Sequence, residues 1–231
     1  MKKIGIITYD HPHLKTEQVS ELLLVKKQIE FKFFALPFLP RKARKNIIHH
    51  RPNQSTGVHP ELIAKKFNVP YQKCSSDTEI GSGFDIYIVL GSGILSAKCV
   101  QDKRILNCHP GIVPLVRGLD SFKWAICEGK PLGVTLHYID QHVDSGEVVT
   151  VRLTNVYEGD DIQSLARRHY ENEINLMANF LDVIHNPSNG FSCQEIGDVK
   201  KRMPPEVEIE TLKEIEKYVG FWASQKFAGG F

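Results

Sequence analysis

Short apolar runs alternate with segments of helical periodicity along most of the 231-residue chain, and this alternation limits its fold more than any other feature. The run DIYIVL, residues 85–90, carries apolar side chains on both faces that a strand would present. Such a strand fits the interior of a parallel sheet that is covered on both sides. We therefore predict an α/β fold, a Rossmann-like open, mostly parallel sheet with helices on both faces.

The individual elements follow from the same patterns. Thr16 is a candidate N-cap for a first helix, Pro60 suits the first turn of a second helix, and Asp160 with Gln163 forms a capping-box pattern before a long helix. We predict a catalytic domain over residues 1–189 and a short C-terminal extension over 190–231, with one further helix. Strands are predicted at 3–9, 31–38, 85–90, 104–109, 133–140 and 147–156, and helices at 16–28, 60–68, 120–128 and 161–185.

Composition restricts the classes of partner and the compartment. The 29 Lys and Arg residues nearly balance the 27 Asp and Glu residues, which argues against a nucleic acid or a membrane as the partner. Five cysteines without a CxxC pair indicate free thiols in a reducing compartment. The first apolar run is too short for a signal or spanning segment. We expect a cytoplasmic protein.

The motif NCHPG, residues 107–111, concentrates polar groups at the end of a predicted strand. Alternate residues of a strand share a face, so Asn107 and His109 are expected to point the same way and Cys108 the opposite way. Pro110 would stop the strand. Ligands of open α/β sheets bind at the carboxyl ends of strands, where both this motif and GSG, residues 91–93, are expected to lie.

Two other site types fit the sequence poorly. The first predicted strand runs into TYDHPHLKT without GxGxxG, and GSGILS lacks the third glycine and the downstream acidic residue of a dinucleotide site. His11 and His13 lie in a loop with no carboxylate-and-histidine cluster beside them, which favours solvated side chains over metal ligands. We therefore expect neither NAD nor a metal.

A second polar group lies in GVTLHYIDQHVDSG, residues 133–146. Thr135 and His137 share a face of a predicted strand, and Asp144 follows in a turn from which its carboxylate could reach His109. An amide donor, an imidazole and a carboxylate suit direct acyl transfer to an amine, with two groups holding an oxyanion and the third removing a proton. The simpler alternative is that Asn107 caps a turn and His109 fills a polar pocket.

The linked motifs NCHPGIVPLVRG, WAI, GVTLHYIDQHVDSG and EVV resemble the formyltetrahydrofolate-dependent formyltransferases, above all the amino-sugar members. The resemblance implies that Asn107, His109 and Asp144 are catalytic and that formyltetrahydrofolate is the formyl donor. It also implies a folate-binding loop and turn, held largely through backbone groups. Their residues are Gly93, Ile94, Leu95, Asp140, Gln141, His142 and Val143.

The acceptor amine is less constrained. The sequence after the first strand departs from the phosphate loop of glycinamide ribonucleotide enzymes, and residues 190–231 are too short for the second domain of methionyl-tRNA enzymes. We expect a nucleotide-linked amino sugar whose diphosphate meets Arg117 or the basic loop 41–52, with Thr135 and His137 also contacting substrate. A hydrolase using the same residues, a catalytically silent binding domain and a homodimer stay open.

Overall fold

The computed structural model describes residues 2–26, 29–40, 44–140, 146–186 and 194–225. Within these residues one seven-stranded sheet has the order β3-β2-β1-β4-β5-β7-β8, and a separate pair joins β6 to β9. The strands are β1 (Lys2–Tyr9), β2 (Ile29–Leu36), β3 (Tyr71–Lys73), β4 (Ile86–Val89), β5 (Ile105–His109), β6 (Arg117–Gly118), β7 (Gly133–Tyr138), β8 (Val148–Leu153) and β9 (Val199–Lys200).

Helices cover both faces of the sheet, as the sequence predicts. In β4, Ile86 and Ile88 enter one core cluster, together with residues of the first, second and fifth helices, whereas Tyr87 and Val89 enter another. The mostly parallel α/β architecture is therefore confirmed. The helices are α1 (Leu14–Leu23), α2 (Pro60–Lys66), α3 (Ala97–Val100), α4 (Ser121–Cys127), α5 (Ile162–Ala178), α6 (Phe180–His185), α7 (Pro205–Lys213) and α8 (Ile215–Ala223).

The strand order changes direction at the carboxyl ends of the central strands. Strand β1 lies between β2 and β4, so the chain changes direction across the sheet beside the carboxyl ends of β1 and β4. Strand β7 runs antiparallel to β5 and therefore begins at the edge where β5 ends. The segment between β5 and β7, which includes α4, consequently covers the carboxyl edge of the sheet, where ligands of such folds bind.

Two predicted caps are wrong. Thr16 lies inside α1, where its hydroxyl is 2.7 Å from that of Thr8, because the helix begins earlier, after His13. Helix α5 is capped by Asp161, which forms a capping box with Ser164. Asp160 instead pairs with Arg168 at 2.7 Å. Either aspartate fits the sequence pattern, and the arginine about two turns into the helix decides between them.

The C-terminal helices pack on the rest of the fold. Tyr218 and Val219 of α8 enter a core cluster with Phe122 and Ile126 of α4. The Tyr218 hydroxyl donates to the Lys130 carbonyl at 2.8 Å. The boundary predicted at residue 189 lies outside the described residues and stays a prediction. The described part of the extension contains α7 and α8, where the sequence predicts a single helix.

Candidate active site

Asn107 and His109 share one face at the end of β5, and Cys108 faces the opposite way. In the pairing with β7, Asn107 lies opposite His137 and His109 lies opposite Thr135, so all four side chains project to the same side. Cys108 is packed in the core cluster on the other side. Burial raises the pKa of its thiol to about 12, which keeps the sulfur protonated at neutral pH and unsuited to nucleophilic attack.

The Asn107 amide is oriented by its strand partner. His137 Nδ1 is 3.1 Å from the Tyr138 carbonyl oxygen, which can only accept a hydrogen bond, so Nδ1 carries the proton of the neutral ring. Its Nε2 then accepts from Asn107 Nδ2 at 3.2 Å. The second N–H of the amide makes no hydrogen bond to any other described residue, and Asn107 is only partly buried. The amide therefore keeps one donor for a ligand.

His109 is held more tightly, since only 4% of the residue is exposed. Its Nε2 atom is 3.1 Å from the Val116 carbonyl oxygen and 3.0 Å from the Ser121 hydroxyl. The His109 and His137 rings meet edge to face, with centroids 6.5 Å apart. The ring is thus fixed through Nε2 by the segment that follows β5.

Thr135 supports this segment and is fully buried. Its hydroxyl accepts from the Val113 amide at 3.0 Å and donates to the Gly111 carbonyl at 2.7 Å. Both contacts join β7 to the turn that follows His109. The geometry gives Thr135 a supporting position, and its predicted contact with substrate stays a prediction.

The predicted folate loop lies at the carboxyl end of β4. Ile94 is 92% exposed, and the backbone N–H groups of Gly93, Ile94 and Leu95 make no hydrogen bond to another described residue. An exposed apolar side chain beside unengaged N–H donors fits the flat, polar-edged pterin ring of a folate. Asp140 lies just past β7 and is partly buried. The other predicted turn residues, Gln141, His142, Val143 and the catalytic candidate Asp144, lie outside the described residues.

Several of the basic side chains that were candidates for the acceptor phosphate have internal partners. Arg117 donates from Nε and Nη2 to the Gly197 carbonyl at 3.1 and 2.8 Å. In the predicted basic loop, Arg44 pairs with Glu208 at 2.8 Å and Arg51 with Glu173 at 3.0 Å. Residues 41–43 lie outside the described residues. Phosphate binding by Arg117 or by this loop stays a prediction.

Sequence reasoning missed a buried polar group beneath the site. His169 Nε2 is 3.3 Å from the carbonyl of Pro110, the residue after His109, and its Nδ1 is 2.9 Å from the Thr154 hydroxyl. One turn along α5, Glu173 accepts from Lys15 at 2.6 Å. The available signal was a His and a Glu four residues apart on the apolar stripe of α5.

The pKa values of His169 and Glu173 are both lowered in the folded protein. Burial lowers the pKa of His169 to about 4, so the ring is neutral at neutral pH. Burial alone would raise the pKa of Glu173, but Arg51 and Lys15 outweigh it and hold the pKa at about 2. Glu173 is therefore a permanent anion beside two cations. It stabilises the floor of the site and is not poised to exchange protons near neutral pH.

Within the described ranges, no three His, Cys, Asp or Glu side chains are grouped so that they could hold a metal ion. His11 instead stacks on Phe38, with ring centroids 4.1 Å apart, and burial lowers the pKa of His13 to about 4. In the same described part of the chain, every helix is too short or too polar to cross a bilayer.

The model of the formyl transferase family matches residues 84–181, which contain β4 to β8 and all of α5. This segment, named the formyl transferase domain after the family that it resembles, makes up less than half of the chain. It includes Asn107, His109 and the exposed loop after β4, so the polar strand end described above lies inside the matched region.

Curated relatives share this domain but differ in acceptor. The trifunctional purine biosynthetic protein adenosine-3 of Chironomus tentans is 32% identical over 36% of this chain and 6% of its own length. A methionyl-tRNA formyltransferase of Coprothermobacter proteolyticus is 28% identical, over 52% and 43%. The dTDP-4-amino-4,6-dideoxyglucose formyltransferase of Mycobacterium bovis is 30% identical, over 40% and 39%. The chain thus spans less than half the length of each.

Solved structures extend the likeness of fold beyond the formyl transferase domain. A sugar N-formyltransferase from Shewanella has a TM-score of 0.62 and 16% identity, covering 92% of this chain and 88% of that one. The formyltransferase PseJ from Anoxybacillus kamchatkensis, in complex with UDP-4,6-dideoxy-4-formamido-L-AltNAc and tetrahydrofolate, has a TM-score of 0.50 and 19% identity over 96% and 94%. The shared fold therefore includes the C-terminal helices.

Proposed function

We propose that this protein transfers a formyl group from formyltetrahydrofolate to the primary amine of a nucleotide-linked amino sugar. The observation that carries the proposal is the pairing of Asn107 and His109 on one face at the end of β5, within the formyl transferase domain. An amide and an imidazole at a strand end, near an exposed apolar loop, suit an acyl donor with a flat ring.

Each side chain has a separate role in this reaction. The amine nitrogen attacks the formyl carbon, a C–N bond forms, and the bond from that carbon to the folate nitrogen breaks. The unengaged N–H of Asn107 and the Nδ1–H of a protonated His109 ring donate to the oxygen that becomes negative. Asp144 accepts the proton that the amine loses, and this proton is passed on to the departing folate nitrogen, which restores the carboxylate. Tetrahydrofolate and an N-formyl product result.

The choice of an amino sugar rests on the loop after β1 and on the relatives. The rings of Tyr9 and His11 both contact Phe38, with centroids 5.2 and 4.1 Å away, so aromatic rings fill the region where a glycine-and-serine-rich phosphate loop would lie. The Mycobacterium bovis relative and the PseJ structure are both named for nucleotide-linked amino sugars. These observations favour such an acceptor over glycinamide ribonucleotide or methionyl-tRNA.

The test is a comparison of acceptors with formyltetrahydrofolate as donor. A dTDP-, a GDP- and a UDP-linked amino sugar, glycinamide ribonucleotide and methionyl-tRNA are offered separately, and tetrahydrofolate and the formylated product are measured. We expect the highest kcat/KM with one of the amino sugars. A higher value with either other acceptor contradicts the acceptor assignment. Formate release without any amine would instead identify a hydrolase, and full transfer without a folate donor would contradict the donor.

A further inference from the structure

The surroundings of His109 Nε2 restrict where that ring carries its proton. Two oxygen atoms face Nε2, the Val116 carbonyl at 3.1 Å and the Ser121 hydroxyl at 3.0 Å. The same hydroxyl is 2.9 Å from the Gly118 carbonyl. Both carbonyls can only accept hydrogen bonds, and the hydroxyl has a single proton to donate.

The Val116 carbonyl decides whether Nε2 carries a proton, because this oxygen needs a donor facing it. If Ser121 donates to Gly118 and His109 Nε2–H donates to Val116 and Ser121, every contact joins a donor to an acceptor. If Nε2 carried no proton, its lone pair would face the Val116 carbonyl oxygen at 3.1 Å, and the Ser121 proton would be drawn from the Gly118 carbonyl toward Nε2. A buried pair of acceptors without a donor between them is destabilising.

We propose that Ser121 is a positioning residue that, with the Val116 carbonyl, keeps a proton on His109 Nε2 and directs proton exchange by the ring to Nδ1. The His109 tautomer follows from contacts within the protein, so it does not depend on the proposed acceptor or on the proposed reaction. The effect on the rate rests on the proposed function, because it requires His109 to act on the formyl oxygen.

Close packing shows that this arrangement is built into the segment after β5. A Cβ atom on Gly111 would lie 2.8 Å from His109 Nε2, 2.5 Å from the Val116 carbonyl oxygen and 2.8 Å from Ser121 Cβ. No real side chain tolerates these distances, so glycine at 111 is what allows Ser121 and Val116 to reach the ring. This explains the glycine of the His-Pro-Gly motif.

The C-terminal segment holds Ser121 in place. Asp120, directly before Ser121, accepts from the Met203 amide at 3.0 Å, and the Leu119 amide donates to the Lys200 carbonyl at 2.9 Å. Lys123, one turn into α4, is buried and donates to Glu208 of α7 at 2.8 Å. Ser121 is thus fixed on both sides by residues beyond the formyl transferase domain.

The experiment measures the tautomer and the rate separately. The ring nitrogens of His109 are observed by ¹⁵N NMR at neutral pH, with His109→Gln identifying its signals among the ten histidines. In the unsubstituted protein we expect Nε2 to be protonated and Nδ1 to carry the lone pair or a second proton. In Ser121→Ala we expect the Nδ1–H tautomer to become detectable and kcat to fall at least about 10-fold with KM little changed, because a misoriented catalytic group loses rate rather than affinity.

Two further variants separate positioning from folding. Ser121→Thr keeps the hydroxyl and is expected to restore most of the rate. Ser20→Ala removes a buried hydroxyl that has no hydrogen-bond partner among the described residues, and it should change neither the tautomer nor kcat. A well-folded Ser121→Ala protein with unchanged tautomer and rate overturns the proposal, as does protonation at Nδ1 alone in the unsubstituted protein. If the protein transfers no formyl group, the NMR result still decides the tautomer, and the proposed function fails separately.

Discussion

Replacing the single side chain of Asn107 tests the proposed reaction. Because one N–H of its amide is used by His137 and the other has no partner among the described residues, Asn107→Ala removes a donor aimed at the ligand. We expect kcat to fall by about 100-fold or more, which is the usual effect of losing one oxyanion donor, while the affinity for folate stays nearly unchanged. Steady-state kinetics and a folate titration measure the two quantities.

Cys108→Ser is the matched control for that substitution. Cys108 is adjacent in sequence but faces the core, and its thiol is protonated because burial raises its pKa. The variant should keep most of its activity even if a buried hydroxyl lowers stability. Loss of activity in well-folded Cys108→Ser, together with an active Asn107→Ala, would require a thiol mechanism instead.

The strand-end residues could be predicted from sequence because they depend on local order alone. A strand alternates its faces, so Asn107 and His109 had to share one, and the structure places them there. Ser121 could not be found in this way, because its contact with His109 depends on how the eleven intervening residues turn. The same holds for Glu173, which meets its partner Lys15 only after α1 and α5 have packed.

Among the elements, the pairing of β6 with β9 can be tested by one substitution, because Gly118 of β6 packs directly against Lys200 of β9. Gly118 has φ of +90°, and a Cβ atom there would lie 2.3 Å from the Lys200 carbonyl oxygen. Gly118→Ala therefore combines backbone strain with a clash against β9, and we expect it to lower the free energy of unfolding by about 2 to 4 kcal/mol. Urea denaturation gives the value, and amide exchange at 199–203 shows whether β9 has separated.

Gly129→Ala is the control for strain alone. Gly129 also has positive φ, at +64°, but nothing lies within 4 Å of the position its Cβ would take. Its substitution should lower the free energy of unfolding by about 1 kcal/mol and leave exchange at 199–203 unchanged. Equal losses from the two substitutions would show that the contact with β9 contributes little.

The elements themselves were predictable to different degrees. The apolar strands have the length and periodicity that fix their type, so only their ends were displaced. The single helix predicted over 161–185 is wrong, because the chain leaves the helical conformation at Asn179 and forms two helices, α5 and α6. A two-residue strand such as β9 has no periodicity, and its place follows from the glycine at 118 and the carbonyl of Lys200. Pairings of this kind are set by contacts distant in sequence, which local patterns do not contain.

At the scale of the whole molecule, buried titratable groups determine the response to acid. Burial lowers the pKa of His13 and His169 from 6.5 to about 4, so the unfolded chain binds more protons than the folded one between these values. The free energy of unfolding must then fall as the pH drops from 6.5 toward 4. The pKa of Glu173 is lowered from 4.5 to about 2. The free energy of unfolding therefore continues to fall as the pH drops from 4.5 toward 2.

His169→Gln tests this account. We expect the variant to lose about 2 to 3 kcal/mol less than the unsubstituted protein between pH 7 and pH 4.5, because one histidine no longer favours the unfolded state as it takes up a proton. Urea denaturation at the two pH values measures the difference. His185→Gln is the comparison, since His185 lies in an exposed part of α6. Equal losses in all three proteins would contradict the assignment.

The contact between α4 and the C-terminal segment can also be followed by intrinsic tryptophan fluorescence. The chain has two tryptophans, and both lie at this contact: Trp124 Nε1 donates to the Lys201 carbonyl at 2.8 Å beneath the Lys200 ammonium, and Trp222 of α8 packs against the cluster that α4 shares. Indole emission depends on polarity and nearby charge. Intrinsic fluorescence therefore follows the docking of this segment, rather than the sheet, and separates its release from global unfolding without any added label.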